Sequence, residues 1–129
     1  MARLWSAGLE DNSDLYEWSA RHGVQTFSTT TVRSGTYSHQ ISSLSSAAAK
    51  GLRNTFSAAA ANGPFFFRTY FRYVTLPSGD NTIIYLNDTD NNTTPIVTIL
   101  LNAAGALELW DEDGQIGSDS SGLSANTWY

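Results

Sequence analysis

The chain has 129 residues, of which 41% are hydrophobic and 15% are charged, and its seven Lys and Arg against twelve Asp and Glu give a net charge of −5. An acidic chain without a cluster of basic residues repels a phosphate backbone, which argues against nucleic-acid binding. The absence of cysteine excludes disulfides and thiolate zinc sites, and no run of apolar residues is long enough to predict a membrane span.

Aromatic residues and Thr recur in short segments separated by clusters of Gly, Asn, Asp and Ser, which is typical of an all-β chain. Two Ala-rich stretches, Ala47–Ala49 and Ala58–Ala61, favour helix but are shorter than a stable helix needs, so we expect loops or single turns there. In chain order, the predicted strands are Ala2–Ala7, Leu15–Trp18, Val24–Phe27, Tyr37–Leu44, Leu52–Phe56, Pro64–Val74, Thr82–Leu86, Ile96–Asn102 and Ala106–Trp110.

The strand predicted at Pro64–Val74 has two different faces, because side chains alternate along a strand. We expect one face to lie in the core between two sheets and the other to line an open sheet surface. The predicted core face carries Phe65, Phe67, Thr69, Phe71 and Tyr73, and the open face carries Phe66, Arg68, Tyr70, Arg72 and Val74.

The strands that follow lead into two hairpins. Thr82–Leu86 and Ile96–Asn102 are nearly continuous apolar runs, so we expect both of their faces to be covered by neighbouring sheets or by other subunits. Asn102–Gly105 is the predicted turn after the second run. Asp113-Gly114 is the pair that a tight two-residue turn prefers, since glycine tolerates positive φ. A three-stranded meander is therefore predicted over Ile96–Gly117.

The sequence stops at Thr127–Tyr129, an aromatic segment that follows a polar turn at Ser120–Asn126. Such a segment normally opens a strand that runs on for several residues and finds a pairing partner. We therefore expect the chain to be part of a longer fold, or one share of an assembly whose other chains complete the sheet.

Several segments together resemble a known family of β-sandwiches. They are Trp5–Gly8 with the acidic pair after it, Val32–Ser38, Pro64–Phe71, Leu107–Asp111, Ile116–Gly117 and Asn126–Tyr129. These segments are similar to concanavalin-A-like jelly rolls of the laminin-G type. The resemblance implies an antiparallel two-sheet β-sandwich over residues 1–129, a single domain whose C-terminal part is missing. The chain also resembles modules found in structural proteins of tailed phages and in environmental sequences.

Glycoside hydrolysis occurs in this family, and it needs a pair of carboxyl groups that flank the scissile bond. In related glucanases one strand bears Glu, Asp and Glu at alternate positions on one face. Here the alternate positions hold Glu108, Trp110 and Glu112, so the middle carboxylate is missing. We therefore expect an acidic hairpin without catalytic activity, and a degenerate glycoside hydrolase is the third hypothesis for function.

Modules of the laminin-G type often hold calcium at the sheet rim, and Asp88, Asp90 and Asn92 offer oxygen ligands at alternate positions of one loop. An EF-hand would need Gly and Glu where this chain has Thr93 and Ile99, so the loop is not an EF-hand. We expect a polar hairpin tip and no cofactor, with a weak calcium site as the alternative.

Glycan binding is the activity that the side chains fit best. Aromatic rings stack on the C–H faces of sugars, and planar guanidinium groups bind paired hydroxyls. Arg68, Tyr70, Arg72 and Trp110 supply both kinds of group and are the candidate glycan-binding residues. The competing interpretation is that they pack against a neighbouring strand, loop or subunit.

The first hypothesis for function is a non-catalytic β-sandwich on a particle surface, a phage virion protein that decorates a capsid or forms part of an appendage. Its partners would be other virion subunits or further copies of itself, which would cover exposed sheet edges. The sequence opens without a secretory leader, so we expect synthesis in the cytoplasm without a signal peptide. The second hypothesis is a carbohydrate-binding module, and neither hypothesis involves nucleic acid or a membrane.

Overall fold

The computed structural model of the chain describes residues 18–22, 25–41, 51–54, 66–87 and 95–129. These residues form strands, turns and irregular segments and contain no helix, which confirms the all-β prediction. No membrane-spanning helix is found among them. The chain divides into two compact units, Met1–Arg68 and Thr69–Tyr129, and the single-domain organisation stays a prediction.

Seven strands are described, and all of their pairings are antiparallel. They pair as β1–β4, β2–β3 and β5–β6–β7. In chain order the strands are β1 (Ala20–His22), β2 (Gln25–Ser28), β3 (Ser38–Ile41), β4 (Gly51–Arg53), β5 (Asn81–Asn87), β6 (Pro95–Leu101) and β7 (Leu107–Trp110).

The first unit contains the two strand pairs β1–β4 and β2–β3. In the second pair Phe27 lies opposite His39, and the two rings meet edge to face with centroids 6.0 Å apart and planes at 69°. Ser28 organises the loop after β2, because its Oγ accepts hydrogen bonds from the backbone N–H groups of Thr30 at 3.3 Å and Thr31 at 3.2 Å. A Ser hydroxyl that satisfies turn N–H groups in this way favours a tight chain reversal.

The second unit is built on a three-stranded sheet with β6 at its centre. The β5–β6 pairing is interrupted at two bulges, at Ile83 on β5 and at Ile96 on β6, neither of which has a directly opposite residue in the register. The β6–β7 pairing is regular. After β7 the chain returns along it, since Gln115 pairs with Trp110 and the Ser120 N–H donates to the Leu107 carbonyl at 2.9 Å.

The sheet of the second unit has two chemically different faces, because directly opposite residues on neighbouring strands share a face. We name them the aliphatic face and the polar face. The aliphatic face carries Ile84, Leu86, Val97, Ile99, Leu101, Leu107 and Leu109, with Asn81 at its end. The polar face carries Thr82, Tyr85, Thr98, Leu100, Glu108 and Trp110.

The strand predictions are most accurate in the second unit. The structure extends the strand predicted at Thr82–Leu86 by one residue at each end, and the bounds of β6 and β7 differ from their predictions by one residue. In the first unit β2, β3 and β4 overlap the strands predicted at Val24–Phe27, Tyr37–Leu44 and Leu52–Phe56. The short strand β1 is not predicted by the sequence.

Some predicted elements fall outside the described residues. Of Leu15–Trp18 only Trp18 is described, and it precedes β1 without belonging to a strand. Ala2–Ala7 and the two Ala-rich stretches lie entirely outside the described residues. Their predictions stay untested.

The strand predicted at Pro64–Val74 is not formed over its described residues, 66–74. Phe71 exchanges both backbone hydrogen bonds with Tyr129, but this is a single ladder pair and a strand needs consecutive pairs. Along the predicted core face Phe71 and Tyr73 are half-buried, whereas Phe67 is 41% exposed and Thr69 is also exposed. The core prediction is therefore wrong for Phe67 and Thr69.

The aromatic segment Thr127–Tyr129 finds a partner within its own unit. Tyr129 and Phe71 exchange both backbone hydrogen bonds, at 3.0 and 3.1 Å, and their ring centroids lie 6.0 Å apart. Next to this pair the Asn126 N–H donates to the Tyr73 carbonyl at 2.8 Å, with Asn126 at a φ of 64°. Such a left-handed conformation is one that Asn tolerates better than most residues, which explains the chain reversal there.

Few of the described residues are buried. They are Thr98, Leu101, Gly105 and Ala106, all on β6 or in the turn that follows it. Within the single chain the two apolar runs are not covered along their whole length, since Tyr85 is 38% and Ile96 is 56% exposed, and coverage by other subunits stays a prediction. Ile96 stands in a bulge, and Tyr85 lies on the polar face opposite Thr98, which is buried.

Candidate functional site

The turn between β6 and β7 is organised by Asn102, as predicted for Asn102–Gly105. The Gly105 N–H donates to the Asn102 carbonyl and the Asn102 N–H to the Ala106 carbonyl, both at 3.0 Å, with Gly105 at a φ of 82°. This is a three-residue hairpin loop closed by a glycine bulge. The Asn102 Oδ1 also accepts the N–H groups of Ala104 and Ala106, each at 3.0 Å, so side chain and backbone hold the same turn.

The Asn102 amide group connects this turn to a wider set of polar side chains. Its Nδ2 donates to Glu108 Oε1 at 2.9 Å and to Asp119 Oδ2 at 3.1 Å. The second oxygen of Glu108 accepts the indole N–H of Trp110 at 2.8 Å, and that of Asp119 accepts Gln115 Nε2 at 2.6 Å. We call these five residues the Asn102 network.

The Asn102 network satisfies two carboxylates with neutral donors. Each carboxylate accepts one hydrogen bond at each of its oxygens, and the Asn102 amide makes all four hydrogen bonds that it can make. Hydrogen bonds to ionised acceptors are stronger than neutral ones. The network therefore ties the β6–β7 turn, strand β7 and the returning segment together.

The hydrolase hypothesis depends on Glu108 and Glu112. Glu108 is half-buried and belongs to the Asn102 network, whereas Glu112 is exposed in the next turn. Trp110, which stands where the middle carboxylate would be needed, donates to Glu108. Glu108 and Glu112 thus lie in an acidic hairpin in which Glu108 is hydrogen-bonded and Glu112 faces solvent. The absence of catalytic activity stays a prediction.

The hairpin after β7 is present, but its turn lies one residue earlier than predicted. The Asp111 N–H donates to the Gly114 carbonyl at 3.0 Å, so the two central residues are Glu112 and Asp113 rather than Asp113 and Gly114. The Asp111 Oδ1 accepts the N–H groups of Asp113 at 2.9 Å and Gly114 at 3.1 Å. Because Asp111 holds these two N–H groups, the turn is centred one residue before the expected Asp-Gly pair. Gly114 follows the two central residues with a positive φ of 136°.

The four candidate glycan-binding residues have different surroundings. Arg68 is the last residue of the first unit and is exposed, and Tyr70 in the second unit is 36% exposed. Arg72 is half-buried, and its Nη2 donates to Asn126 Oδ1 at 2.7 Å. Because Trp110 is held by Glu108 on the polar face, the structure assigns Arg72 and Trp110 to different hydrogen-bonding groups.

The candidate calcium ligands cannot be placed, because Asp88, Asp90 and Asn92 lie outside the described residues. Within the described ranges, no group of three or more His, Cys, Asp or Glu side chains is arranged to hold a metal ion. The prediction of no cofactor stays a prediction.

Three members of the Asn102 network are not singled out by the sequence: Asn102 as a side-chain donor, Gln115 and Asp119. The position of Asn102 at the start of an Asn-Ala-Ala-Gly turn is a usable signal, because Asn favours turns by bonding to the backbone. Gln115 and Asp119 carry no comparable signal, since their role depends on how the chain returns along β7.

Comparison of the chain with protein-family models, with curated proteins and with solved structures finds no match.

Proposed function

We propose that the chain is a non-catalytic β-sandwich of the jelly-roll type on the surface of a phage particle, as a decoration protein or part of an appendage. In this proposal the aliphatic face of the second unit is one inner layer of the assembled module. A second β-layer covers it, and the partners of the chain are other virion subunits or further copies of itself.

The aliphatic face is the observation that carries the proposal. Seven aliphatic side chains lie on it, yet among them only Leu101 is buried, and Leu109 is 37% exposed. Ile116, whose N–H donates to the Leu109 carbonyl at 2.7 Å, is 42% exposed. Covering the part of these side chains that is still exposed would stabilise an association through this face by about 25 cal/mol for each Å² of apolar surface buried.

The distribution of charge also favours this face for assembly. Residues Thr69–Tyr129 carry one Arg and eight Asp or Glu, whereas Met1–Arg68 carry six Lys or Arg and four Asp or Glu. Copies of the acidic unit repel each other through their charged surfaces. Because the aliphatic face has no charged residue, a contact there avoids burying unpaired carboxylates.

The oligomeric state of the full chain over a concentration series, measured by sedimentation velocity, tests this proposal. Leu109→Glu places a charge on the aliphatic face, and Thr82→Glu places the same charge at an exposed position on the polar face of the same sheet. We expect the unmodified chain and Thr82→Glu to associate and Leu109→Glu to stay monomeric with the same circular dichroism spectrum. Co-sedimentation with phage particles extends the comparison to other virion subunits.

Two results would count against the proposal. One is an unmodified chain that stays monomeric at every concentration and never binds particles. The other is an equal loss of association in Thr82→Glu and Leu109→Glu, because the contact would then involve the polar face as much as the aliphatic face.

A second candidate function is glycan binding, which the exposure of the Tyr70 ring favours. Saturable binding on a glycan array should be lost in Tyr70→Ala, reduced in Arg72→Ala and retained in Tyr70→Phe, which keeps the aromatic ring for stacking. Arrays without binding to any glycan would exclude this function.

A further inference from the structure

The tip of the hairpin after β7 holds an Asp-Gly pair that is open to a known backbone reaction. Asp113 is exposed, and the structure gives its carboxylate no hydrogen bond among the described residues. Its successor Gly114 has no side chain and a φ of 136°, and nothing lies within 4 Å of the position that a Cβ would take. The open space beside the Gly114 Cα leaves room for its backbone nitrogen to approach the preceding side chain once its hydrogen bond to Asp111 opens.

We propose that Asp113 is a site of spontaneous isomerisation to isoaspartate, a covalent modification of the hairpin tip. The Gly114 nitrogen forms a bond to Asp113 Cγ and loses its proton, and one carboxyl oxygen leaves as water. Water then adds to the former backbone carbonyl carbon of the five-membered ring, and the bond from that carbon to the Gly114 nitrogen breaks. The backbone now runs through the side chain of residue 113, with no change in composition and no other reactant.

Asp111 slows this reaction in the folded chain. Its Oδ1 accepts the Gly114 N–H at 3.1 Å and the Asp113 N–H at 2.9 Å, so the N–H of the attacking nitrogen is engaged by Asp111. Isomerisation therefore needs this hydrogen bond to open. Once formed, isoaspartate adds a backbone carbon inside the turn that the Asp111–Gly114 hydrogen bond closes.

Asp119-Ser120 in the same unit serves as an internal control. Both carboxylate oxygens of Asp119 are hydrogen-bonded, to Gln115 at 2.6 Å and to Asn102 at 3.1 Å. The nitrogen that would attack it, that of Ser120, donates to the Leu107 carbonyl at 2.9 Å. The folded structure thus hydrogen-bonds both the Asp119 carboxylate and the Ser120 nitrogen that would attack it. At Asp113, by contrast, neither carboxylate oxygen is hydrogen-bonded among the described residues.

The test is prolonged incubation of the purified full chain in neutral buffer made with heavy-oxygen water, followed by digestion and peptide mapping by mass spectrometry. We expect the peptide with Asp113 to split into two chromatographic forms, the new one carrying one solvent oxygen, while the peptide with Asp119 stays unchanged. Asp111→Ala should raise the rate at Asp113 roughly fivefold, the factor expected for losing one ordinary hydrogen bond. Asp111→Asn keeps the acceptor oxygen and should leave the rate close to that of the unmodified chain.

Equal rates at Asp113 and Asp119 in the folded chain would overturn the proposal, as would the same rate in Asp111→Ala and Asp111→Asn. Incubation in urea provides the reference for an unprotected chain. In urea the rate of isomerisation at Asp119 should rise towards the rate at Asp113. Such a rise would show that the difference in the folded chain comes from its structure and not from the residue that follows each Asp.

Discussion

Two turns flank β7, and they use the same hydrogen-bonding arrangement in opposite surroundings. At Asn102 and at Asp111 one side-chain oxygen accepts two backbone N–H groups of the turn that follows. The first turn is packed, since a methyl group added at Gly105 would lie 3.0 Å from a Leu76 methyl and 3.3 Å from the Leu123 carbonyl oxygen. The second is open, with nothing within 4 Å of the same position at Gly114.

Comparing the two turns distinguishes the local requirements of a turn from the stabilisation that packing against distant segments adds. Both turns require a side-chain acceptor and a glycine at positive φ, and both requirements depend on residues close in sequence. Among the described residues, distant segments also hold the first turn, through the Leu123 N–H, which donates to the Gly105 carbonyl at 2.8 Å, and through the Asn102 network. Substitutions at matching positions should therefore cost more in the first turn.

Gly105→Ala should have the largest effect, a loss of about 3 kcal/mol in the free energy of unfolding. A β-carbon at a φ of 82° costs about 1–2 kcal/mol, and crowding against Leu76 and Leu123 adds about 1–3 kcal/mol. Urea unfolding followed by circular dichroism measures the change. A loss no larger than that in Gly114→Ala would show that packing around the first turn contributes nothing.

Asn102→Ala should follow, with a loss of about 2 kcal/mol, because it removes two acceptor bonds of the turn and both donors to Glu108 and Asp119. Asn102→Asp is the matched variant, since it keeps an acceptor oxygen but replaces the donors with a third carboxylate. It should be at least as destabilising as Asn102→Ala at neutral pH. Its added carboxyl group should bind a proton more readily in the folded chain, so its stability should recover as the pH falls.

Equal stability of Asn102→Asp and the unmodified chain at neutral pH would contradict this prediction. The turn would then depend on the acceptor oxygen alone, and the Asn102 network would not contribute to the stability of the second unit.

Gly114→Ala should cost about 1–2 kcal/mol, the backbone penalty of positive φ without a packing term. The same unfolding measurement gives the value. The difference between Gly105→Ala and Gly114→Ala then estimates the contribution of packing. A loss above that of Gly105→Ala would reverse the comparison between the two turns.

The sequence predicts those parts of the fold that depend on neighbouring residues. The three strands of the second unit are predicted to within one residue at each bound, because apolar runs and turn residues mark them locally. Asn102–Gly105 is predicted for the same reason. The turn at Asp113-Gly114 is displaced by one residue, because the sequence preference for Asp-Gly does not include the capture of both N–H groups by Asp111.

Features that depend on distant residues could not be predicted. Alternation at Pro64–Val74 predicts a strand, but a strand also needs consecutive ladder pairs, and the pair of Phe71 with Tyr129 does not extend into one over residues 66–74. In the same way, Asp119 joins the Asn102 network only because the chain returns along β7 after the hairpin. Of the candidate site, Glu108 and Trp110 could be selected from the sequence. Gln115 and Asp119 could not, because their part in the network depends on the path of the chain after β7.

Asp111→Asn should have the smallest effect, within about 0.5 kcal/mol of the unmodified chain, since the amide keeps an oxygen that can accept the N–H groups of Asp113 and Gly114. Asp111→Ala removes both bonds and should cost about 1 kcal/mol, because water can replace them at this exposed tip. Thermal unfolding of the two variants side by side measures the difference. If Asp111→Asn were as unstable as Asp111→Ala, the charge of Asp111 rather than its acceptor oxygen would hold the open turn, and the parallel with Asn102 would fail.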